Sequence, residues 1–337
     1  MKKLQNLWTA FVLTLFISSC GNQSNVKAPF EHGIDAGPTP WNSISFNDDP
    51  EQFTFAIISD LNGGEREGIF SIAVEQINML HPEFVLSVGD LIDGGTEDKA
   101  QLEKEWESFD NRAAKFNSPF FHLGGNHDLT NVVMREFWQN RYGPRYYHFK
   151  YKNILFLMMD SEDYEEERMQ EIYIARAKAI EIMDGPNPEL YPETAYYSME
   201  ERKTGEVSNA QNEYFEKVLA ENQDVDWTFV FMHKPVWMRP TGNNLDRLES
   251  ALGSSAYTVI NGHVHDYSYK ERNNRDYLTL GTTGGSQNPN GKGAYDHITL
   301  VTMKKGEPSI INLKMEGMLN EHGSIPLNGD SLKFHAY

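Results

Sequence analysis

Five short polar clusters punctuate this chain, and each one follows a hydrophobic stretch with the composition of a buried β-strand. Residues that follow such strands lie at the carboxyl edge of a sheet, where loops commonly carry functional groups. In chain order the clusters supply carboxylate, carboxylate, amide with imidazole, imidazole, and a final pair of imidazoles. The clusters are Asp60-Leu61-Asn62, Gly89-Asp90-Leu91-Ile92-Asp93, Gly125-Asn126-His127-Asp128, His233 and Gly262-His263-Val264-His265.

Together, the clusters contain the ligand set of a site for two metal ions. Oxygen and nitrogen donors with one shared carboxylate are what two-metal hydrolysis of phosphoesters requires. Each cluster alone has a simpler explanation, because an Asp at a strand end commonly caps a helix or forms a turn. An isolated His233 is typically structural, whereas His263 and His265 place two imidazoles on one side of an extended segment. The order of all five clusters favours the metal site.

The alternation of strand, loop and helix patterns predicts an α/β architecture. Strand patterns cover residues 53–59, 84–88, 120–123, 146–149, 154–159, 227–232, 257–261, 277–280, 297–303 and 309–314. Helical patterns cover residues 67–79, 101–116, 165–183 and 210–222. We expect one domain over residues 51–318, followed by a C-terminal tail over residues 319–337.

Residues 161–206 have a different character, because they are dense in charge and carry a helix that begins near Glu165 and is broken at Gly185-Pro186-Asn187-Pro188. We interpret them as an insertion that caps or flanks the site; they are called the charged insertion below. Two explanations stay open, a lid that determines specificity or a solvated charged face. The stretch Gly281-Thr282-Thr283-Gly284-Gly285 is likewise either a substrate contact or a glycine turn.

The N-terminus has the pattern of an export signal, with Lys2 and Lys3 before an apolar stretch over residues 7–17. The sequence Ile17-Ser18-Ser19-Cys20-Gly21 resembles a bacterial lipoprotein signal, and Cys20 is the single cysteine of the chain. The resemblance implies a signal peptide over residues 1–19, a lipidated Cys20 and a tether over residues 20–50. It predicts an exported protein, lipid-anchored in the bacterial cell envelope (periplasmic or cell surface). The alternative is an ordinary secretory signal.

The charge balance limits the class of partner. With 30 Lys and Arg against 49 Asp and Glu, the formal net charge is −19. A nucleic-acid polymer is not an expected partner, because phosphate neutralisation requires clustered cations. Small phosphoesters remain compatible with this charge, since two metal ions would outweigh it locally.

The clusters resemble those of the calcineurin-like metallophosphoesterase superfamily, and within it the purple-acid-phosphatase-like branch, over about residues 53–314. The resemblance implies a four-layer αββα sandwich of two mixed β-sheets flanked by helices. It also implies two divalent or trivalent ions, with Mn, Fe, Zn and Mg as candidates, and a small phosphoester substrate. Hydrolysis would proceed by attack of metal-activated hydroxide.

The same resemblance implies a role for each polar residue. Asp60 and His265 would bind the first metal, and Asp90 would bridge both ions. The second metal would be completed by Asn126, His233 and His263. His127 would protonate the leaving oxygen or stabilise phosphoryl charge, Asp93 would hydrogen-bond His127, and Asp128 would support the site similarly.

Asn62 departs from the family pattern, in which the cluster reads Asp-x-His. Purple acid phosphatases also lack that His, but they carry a Tyr ligand where this chain has Asp93. Because an amide oxygen is a weaker donor than an imidazole, three outcomes stay open for the first metal. The first metal is bound loosely, it recruits Asp93 as a ligand, or it is a harder ion such as Mn or Mg.

Two functions follow as alternatives. The first is an exported, lipid-anchored phosphoesterase that acts on phosphomonoesters or phosphodiesters. The second is a non-catalytic surface lipoprotein that uses a degenerate site to bind a ligand or partner, which Asn62 alone favours. A DNA-repair nuclease fits poorly with the charge and the export signal.

Overall fold

The computed structural model describes residues 29–47, 52–239, 244–287 and 289–326. The expected signal peptide and Cys20 lie outside these residues. The strands are β1 (Phe30–His32), β2 (Gln52–Ile58), β3 (Phe84–Ser87), β4 (Phe120–Phe121), β5 (Tyr147–Tyr151), β6 (Ile154–Met158), β7 (Trp227–Met232), β8 (Tyr257–Asn261), β9 (Ser268–Arg272), β10 (Arg275–Thr279), β11 (His297–Lys304) and β12 (Glu307–Lys314). The α-helices are α1 (Ile69–Leu80), α2 (Lys99–Ala113), α3 (Asn126–Leu129), α4 (Val132–Tyr142), α5 (Glu166–Met183), α6 (Ala195–Ser198), α7 (Asn209–Glu221) and α8 (Leu245–Leu252).

Two mixed sheets form the centre of the fold. One has the strand order β1-β5-β6-β7-β8-β10-β9, and the other has the order β12-β11-β2-β3-β4. Strands β2, β3 and β4 run parallel in the smaller sheet, as do β6, β7, β8 and β10 in the larger one. The carboxyl ends of these parallel strands supply the loops that carry the polar clusters.

Alternation along the strands explains why the sheets stack in layers. In β2, Phe55 and Ile57 pack between the two sheets, whereas Ala56 and Ile58 pack against α1, α2 and α4. In β6, Leu155 and Leu157 face the opposite way and belong to a third apolar cluster, which includes side chains of α7 and α8. The expected four-layer αββα sandwich is therefore confirmed.

The segment expected to be a tether over residues 20–50 is partly folded, which corrects the sequence interpretation. Strand β1 pairs with β5, and the ring of Phe30 lies 5.5 Å from that of the buried Trp41. The ring of Phe46 lies 4.6 Å from that of Tyr151. Frequent Pro, Gly, Ser and Asn residues without a sustained hydrophobic period made this segment resemble a tether. The folded unit nevertheless begins before residue 51.

The charged insertion is a folded excursion whose two ends meet. Glu162 and Glu206 form a parallel β-bridge, and the N–H of Glu206 donates to the carbonyl of Ser161 at 3.0 Å. Between these ends, α5 and α6 contribute to a small apolar cluster. Its buried members are Tyr164, Met169, Ile172, Ala179 and Tyr196. The insertion is therefore packed against itself and held at its base.

Within the described residues, the structure contains no helix with both the length and the apolar character required to cross a membrane.

Candidate metal centre

The polar clusters converge where the two sheets meet. Asp60, Asp90 and Asn126 follow β2, β3 and β4 of the smaller sheet, and His233 and His263 follow β7 and β8 of the larger one. Parallel strands direct their carboxyl ends to the same edge, so residues far apart in sequence become neighbours.

Two groups of side chains place ligand atoms within 4.8 Å of one another. One group contains Asp60, Asp90 and His265, and the other contains Asp90, His233 and His263. Asp90 belongs to both groups, and its side chain is buried between them. This arrangement has the form of two adjacent ion sites joined by one carboxylate.

The backbone adopts uncommon conformations at this centre. Four of the ten non-glycine residues with positive φ in the described chain are expected ligands: Asp60, Asp90, His263 and His265. Gly89 has φ +100°, and a Cβ there would lie 2.8 Å from the main-chain N of Gly125. Non-glycine residues in this region cost about 1–3 kcal/mol each and are concentrated at functional sites.

His233 is oriented by a main-chain carbonyl. Its Nδ1 donates to the Val88 carbonyl at 2.8 Å, and its Nε2 lies 3.2 Å from Oδ1 of Asn126 and 3.1 Å from Oδ2 of Asp90. An imidazole nitrogen, an amide oxygen and a carboxylate oxygen thus point at one another. Three electron-pair donors in this arrangement suit a cation between them.

His263 and His265 are held in the same manner. Nε2 of His263 donates to the carbonyl of Arg202 at 2.8 Å. The other ring nitrogen, Nδ1, therefore carries a lone pair that can bind a metal ion. Nδ1 of His265 donates to the carbonyl of Ser286 at 2.5 Å, and its Nε2 lies 3.2 Å from Oδ1 of Asp60. A carbonyl partner for the second ring nitrogen is typical of metal-binding histidines. The residues present therefore fit a metal centre.

The electrostatics of the centre show the strength of the carboxylates. Burial opposes protonation of His233, but the Asp90 carboxylate, together with Asp60 and the Val88 carbonyl, raises the pKa of His233 to about 9. Burial likewise opposes protonation of His265, and the Asp60 carboxylate raises the pKa of His265 to about 8. Burial, Lys234 and His233 hold the pKa of His263 well below its usual value. The anionic groups thus already attract positive charge to the positions where cations would bind.

Asp60 is fixed by the loop that follows β10. The Asp60 carboxylate accepts hydrogen bonds from the hydroxyl of Ser59 and from the N–H of His263 at 3.0 Å. The N–H of Gly285 donates to the Asp60 carbonyl at 2.8 Å, and the N–H of Thr283 donates to the Ser59 carbonyl at 2.6 Å. The glycine-rich stretch over residues 281–285 therefore supports the backbone of an expected ligand.

Asn62 pairs with Asp93. With its amide oriented to satisfy both groups, Asn62 donates to Oδ1 of Asp93 at 3.1 Å and accepts from the Asp93 N–H at 3.2 Å. The side chain is buried beside the centre. Its role as a ligand stays a prediction, because the structure directs both amide atoms toward Asp93.

His127 contacts Asp93 through the main chain and not through the carboxylate. Nδ1 of His127 donates to the Asp93 carbonyl at 2.7 Å, and the N–H of His127 donates to Oδ1 of Asp90 at 2.9 Å. Burial lowers the pKa of His127, and the nearby Arg176 adds to this effect while Asp90 opposes it. The ring is thereby fixed beside the shared carboxylate.

Asp128 joins two of the loops. Its Oδ1 accepts from the N–H of Leu91 at 2.9 Å and of Ile92 at 3.2 Å, and its Oδ2 accepts from the N–H of Gly125 at 2.8 Å. Burial and the Asp90 carboxylate raise the pKa of Asp128 to about 7. The supporting role predicted for Asp128 thus takes the form of holding the Asp90 loop against the Asn126 loop.

Sequence reasoning missed the contacts that the charged insertion makes with the centre. Arg202 supplies a carbonyl to His263, Arg176 contacts His127, and Glu162 pairs with the buried Lys234 at 2.8 Å. No local pattern marks these residues, because they lie among many other charges. Their positions depend on how the insertion folds back over the strand ends.

A family model for calcineurin-like phosphoesterases matches residues 53–267, which include every expected ligand. The chain belongs to this family. Membership implies divalent metal ions, and the two ligand groups around Asp90 agree with it. No curated protein matches the sequence.

Solved structures show the same fold at low sequence identity. A dimetal phosphatase from Danio rerio has a TM-score of 0.56 and 15% identity, with 78% of this chain and 96% of that chain covered. Purple acid phosphatase PPD1 from yellow lupin has a TM-score of 0.52 and 11% identity, covering 80% and 52%. The structure described as PhoD has a TM-score of 0.52 and 12% identity, covering 85% and 74%. These similarities support the fold assignment alone.

Proposed function

We propose that this chain is a metal-dependent phosphoesterase that hydrolyses small phosphomonoesters or phosphodiesters at a dinuclear site. The supporting observation is that two groups of ligand atoms share the Asp90 carboxylate. The first ion would be held by Asp60, Asp90 and His265, with Asn62 at its edge, and the second by Asp90, Asn126, His233 and His263.

In this proposal, the chain's own residues position the reaction. When bound, the two ions supply Lewis acidity for the phosphoryl oxygens and lower the pKa of a water molecule for attack on phosphorus. The carbonyls of Val88, Arg202 and Ser286 fix the ring orientations of the three ligand histidines. Asp128 keeps two ligand loops in register, so little rearrangement is required when a substrate binds.

His127 would act beside the leaving group. Its ring is fixed by the Asp93 carbonyl, and its backbone is fixed by Asp90. Protonation of a leaving oxygen requires a proton on Nε2, and in the structure this atom accepts a hydrogen bond from Arg176. We therefore propose that Nε2 of His127 exchanges its partner when a substrate enters.

A second candidate function is ligand or partner binding without catalysis. The observation that favours it is the pairing of Asn62 with Asp93. This pairing leaves the first ion with three protein ligands, which are Asp60, Asp90 and His265. Loss of one ion would remove the two-metal chemistry while preserving the fold.

The proposed location is the bacterial cell envelope, with a lipid anchor on Cys20. Its support is the sequence of residues 1–21, in which an apolar stretch precedes the single cysteine.

The function is tested on purified protein lacking residues 1–20 that has been stripped of metal and reloaded with Mn, Zn, Fe or Mg. We expect hydrolysis of p-nitrophenyl phosphate or bis-p-nitrophenyl phosphate, abolished by a chelator and restored by metal. Full metal loading without hydrolysis of either ester would favour the binding function instead.

A further inference from the structure

Arg176 is a buried cation of the charged insertion that lacks an anionic partner. It lies on α5 with 7% of its surface exposed. Some other buried or half-buried arginines pair with carboxylates, as Arg145 does with Asp160 and Arg66 with Asp296, and Arg135 instead donates to three main-chain carbonyls. Arg176 forms no ion pair with any carboxylate in that part of the chain. A buried charge without a counter-ion is costly, and the hydrogen bond of Arg176 to the neutral His127 ring leaves its other N–H groups available for an anion.

The guanidinium is directed at the candidate metal centre. Its Nη2 lies 3.2 Å from Nε2 of His127. Because arginine only donates and the Asp93 carbonyl only accepts, the His127 ring carries its proton on Nδ1 and accepts from Arg176 at Nε2. The contact therefore joins a cation to a neutral ring that itself contacts the loop of Asp90.

The opposite side of the guanidinium rests on a glycine. A Cβ at residue 95 would collide with Nη1 of Arg176, and Gly95 has φ +65°. The loop after Asp93 thus leaves the space that the guanidinium occupies. His127 and Gly95 together hold Arg176 over the rim of the centre.

We propose that Arg176 binds a phosphoryl oxygen of the substrate and gives the site a preference for phosphomonoesters. This inference rests on the proposed phosphoesterase function. A monoester presents three non-bridging oxygens and a diester presents two. Two ions and a guanidinium can therefore each contact a separate non-bridging oxygen only in a monoester. A planar guanidinium is well suited to this contact, because its N–H groups form paired hydrogen bonds with phosphoryl oxygens.

Substrate binding then involves an exchange of hydrogen bonds and no covalent change in the protein. Nη2 of Arg176 leaves Nε2 of His127 and donates to the phosphoryl oxygen. Nε2 of the neutral ring is then free to take up a proton from solvent, and the resulting imidazolium donates this proton to the leaving oxygen. The charged insertion is, on this account, a part of the substrate site.

The test compares Arg176→Gln and Arg176→Lys with Lys178→Gln, which removes one exposed positive charge from the same helix. Binding of inorganic phosphate to the metal-loaded proteins is measured by calorimetry, and kcat/KM is measured for p-nitrophenyl phosphate and bis-p-nitrophenyl phosphate. We expect Arg176→Gln to weaken phosphate binding and monoester kcat/KM about 10- to 100-fold. Diester kcat/KM should fall much less, Arg176→Lys should recover part of the loss, and Lys178→Gln should match wild type.

Wild-type phosphate affinity in Arg176→Gln with full metal content would overturn the proposal, as would an equal loss for both esters. If Arg176→Gln does not fold, Arg176→Lys provides the test. Undiminished phosphate affinity and monoester preference in Arg176→Lys would contradict paired hydrogen bonds between the guanidinium and the phosphoryl oxygens. A wild-type protein that binds phosphate through Arg176 but hydrolyses neither ester would refute the proposed function and leave the phosphate site standing.

Discussion

Nε2 of His233 lies 3.1 Å from Oδ2 of Asp90, and this contact crosses from one β-sheet of the sandwich to the other. Asp90 follows β3 of the smaller sheet, and His233 follows β7 of the larger one. The candidate metal centre therefore depends on how the two sheets pack, and neither sheet alone contains a complete set of ligands.

His127→Ala should reduce hydrolysis while leaving metal content unchanged. The ring contacts Arg176 and the Asp93 carbonyl and belongs to neither ligand group. Loss of a proton-transfer group lowers the rate about 10²- to 10⁴-fold. Steady-state kinetics beside elemental analysis would check this, and a wild-type rate would show that His127 has no part in the reaction.

Lys234→Met should destabilise the fold strongly. Nζ of Lys234 lies 2.8 Å from the Glu162 carboxylate, and both side chains are almost fully buried. Removing one partner of a buried pair leaves an uncompensated charge, which costs about 3–5 kcal/mol.

Urea unfolding of metal-free protein measures this change in the free energy of unfolding. The exposed pair of Lys217 and Glu221, at 3.8 Å, provides the control, because Lys217→Met should have little effect. The double variant Lys234→Met/Glu162→Leu should recover much of the loss. Equal effects of Lys234→Met and Lys217→Met would refute the importance of the buried pair.

His122 should make the domain sensitive to acid. Burial lowers the pKa of His122 to about 4, against 6.5 for the ordinary side chain. Between pH 6.5 and pH 4, His122 therefore binds a proton more readily in the unfolded chain than in the folded domain. The free energy of unfolding is unaffected by His122 above pH 6.5 and falls progressively as the pH drops toward 4, by about 3 kcal/mol in total.

The free energy of unfolding of metal-free protein, followed from pH 7 to pH 4.5, tests this expectation. His122→Gln should reduce the slope in this window, because Gln does not titrate. His322→Gln serves as control, since the side chain of His322 is 77% exposed and its removal should leave the slope unchanged. An unaltered slope in His122→Gln would contradict the assignment.

Cys20→Ser should abolish lipid attachment. The single cysteine follows the apolar stretch of the expected signal, and several acyl chains are required for stable anchoring. Labelling with a fatty acid in a bacterial host should mark the wild-type chain and not the variant. Equal labelling of both proteins would contradict a lipid anchor on Cys20, and no labelling of either would favour an ordinary secretory signal.

Sequence periodicity was sufficient to predict the bounds of strands and helices that have strong hydrophobic patterns. The strand predicted over residues 227–232 has the same bounds as β7, and the helix over residues 165–183 agrees with α5 to within one residue. The edge strands β1 and β9 were missed because exposed edges lack a clear apolar alternation. Helices α4 and α8 were also missed.

The candidate site was predictable only in its strand-end residues. Asp90 and His233 stand next to hydrophobic strands, and this local pattern marks them. The carbonyl of Arg202 and the guanidinium of Arg176 reach the centre through tertiary packing of the charged insertion. A main-chain carbonyl has no sequence pattern, so these partners require the structure.

Whether two ions share Asp90 is decided by counting the metal bound to the wild-type protein and to single variants of the ligands. We predict about two ions per chain for the wild-type protein and about one each for Asp60→Asn and His263→Ala, since each removes a ligand of one group. Asp90→Asn should reduce binding at both positions and abolish hydrolysis, and the surface variant Asp246→Asn should match wild type. A wild-type chain that binds one ion, or an Asp90→Asn variant that retains both, would contradict the dinuclear centre.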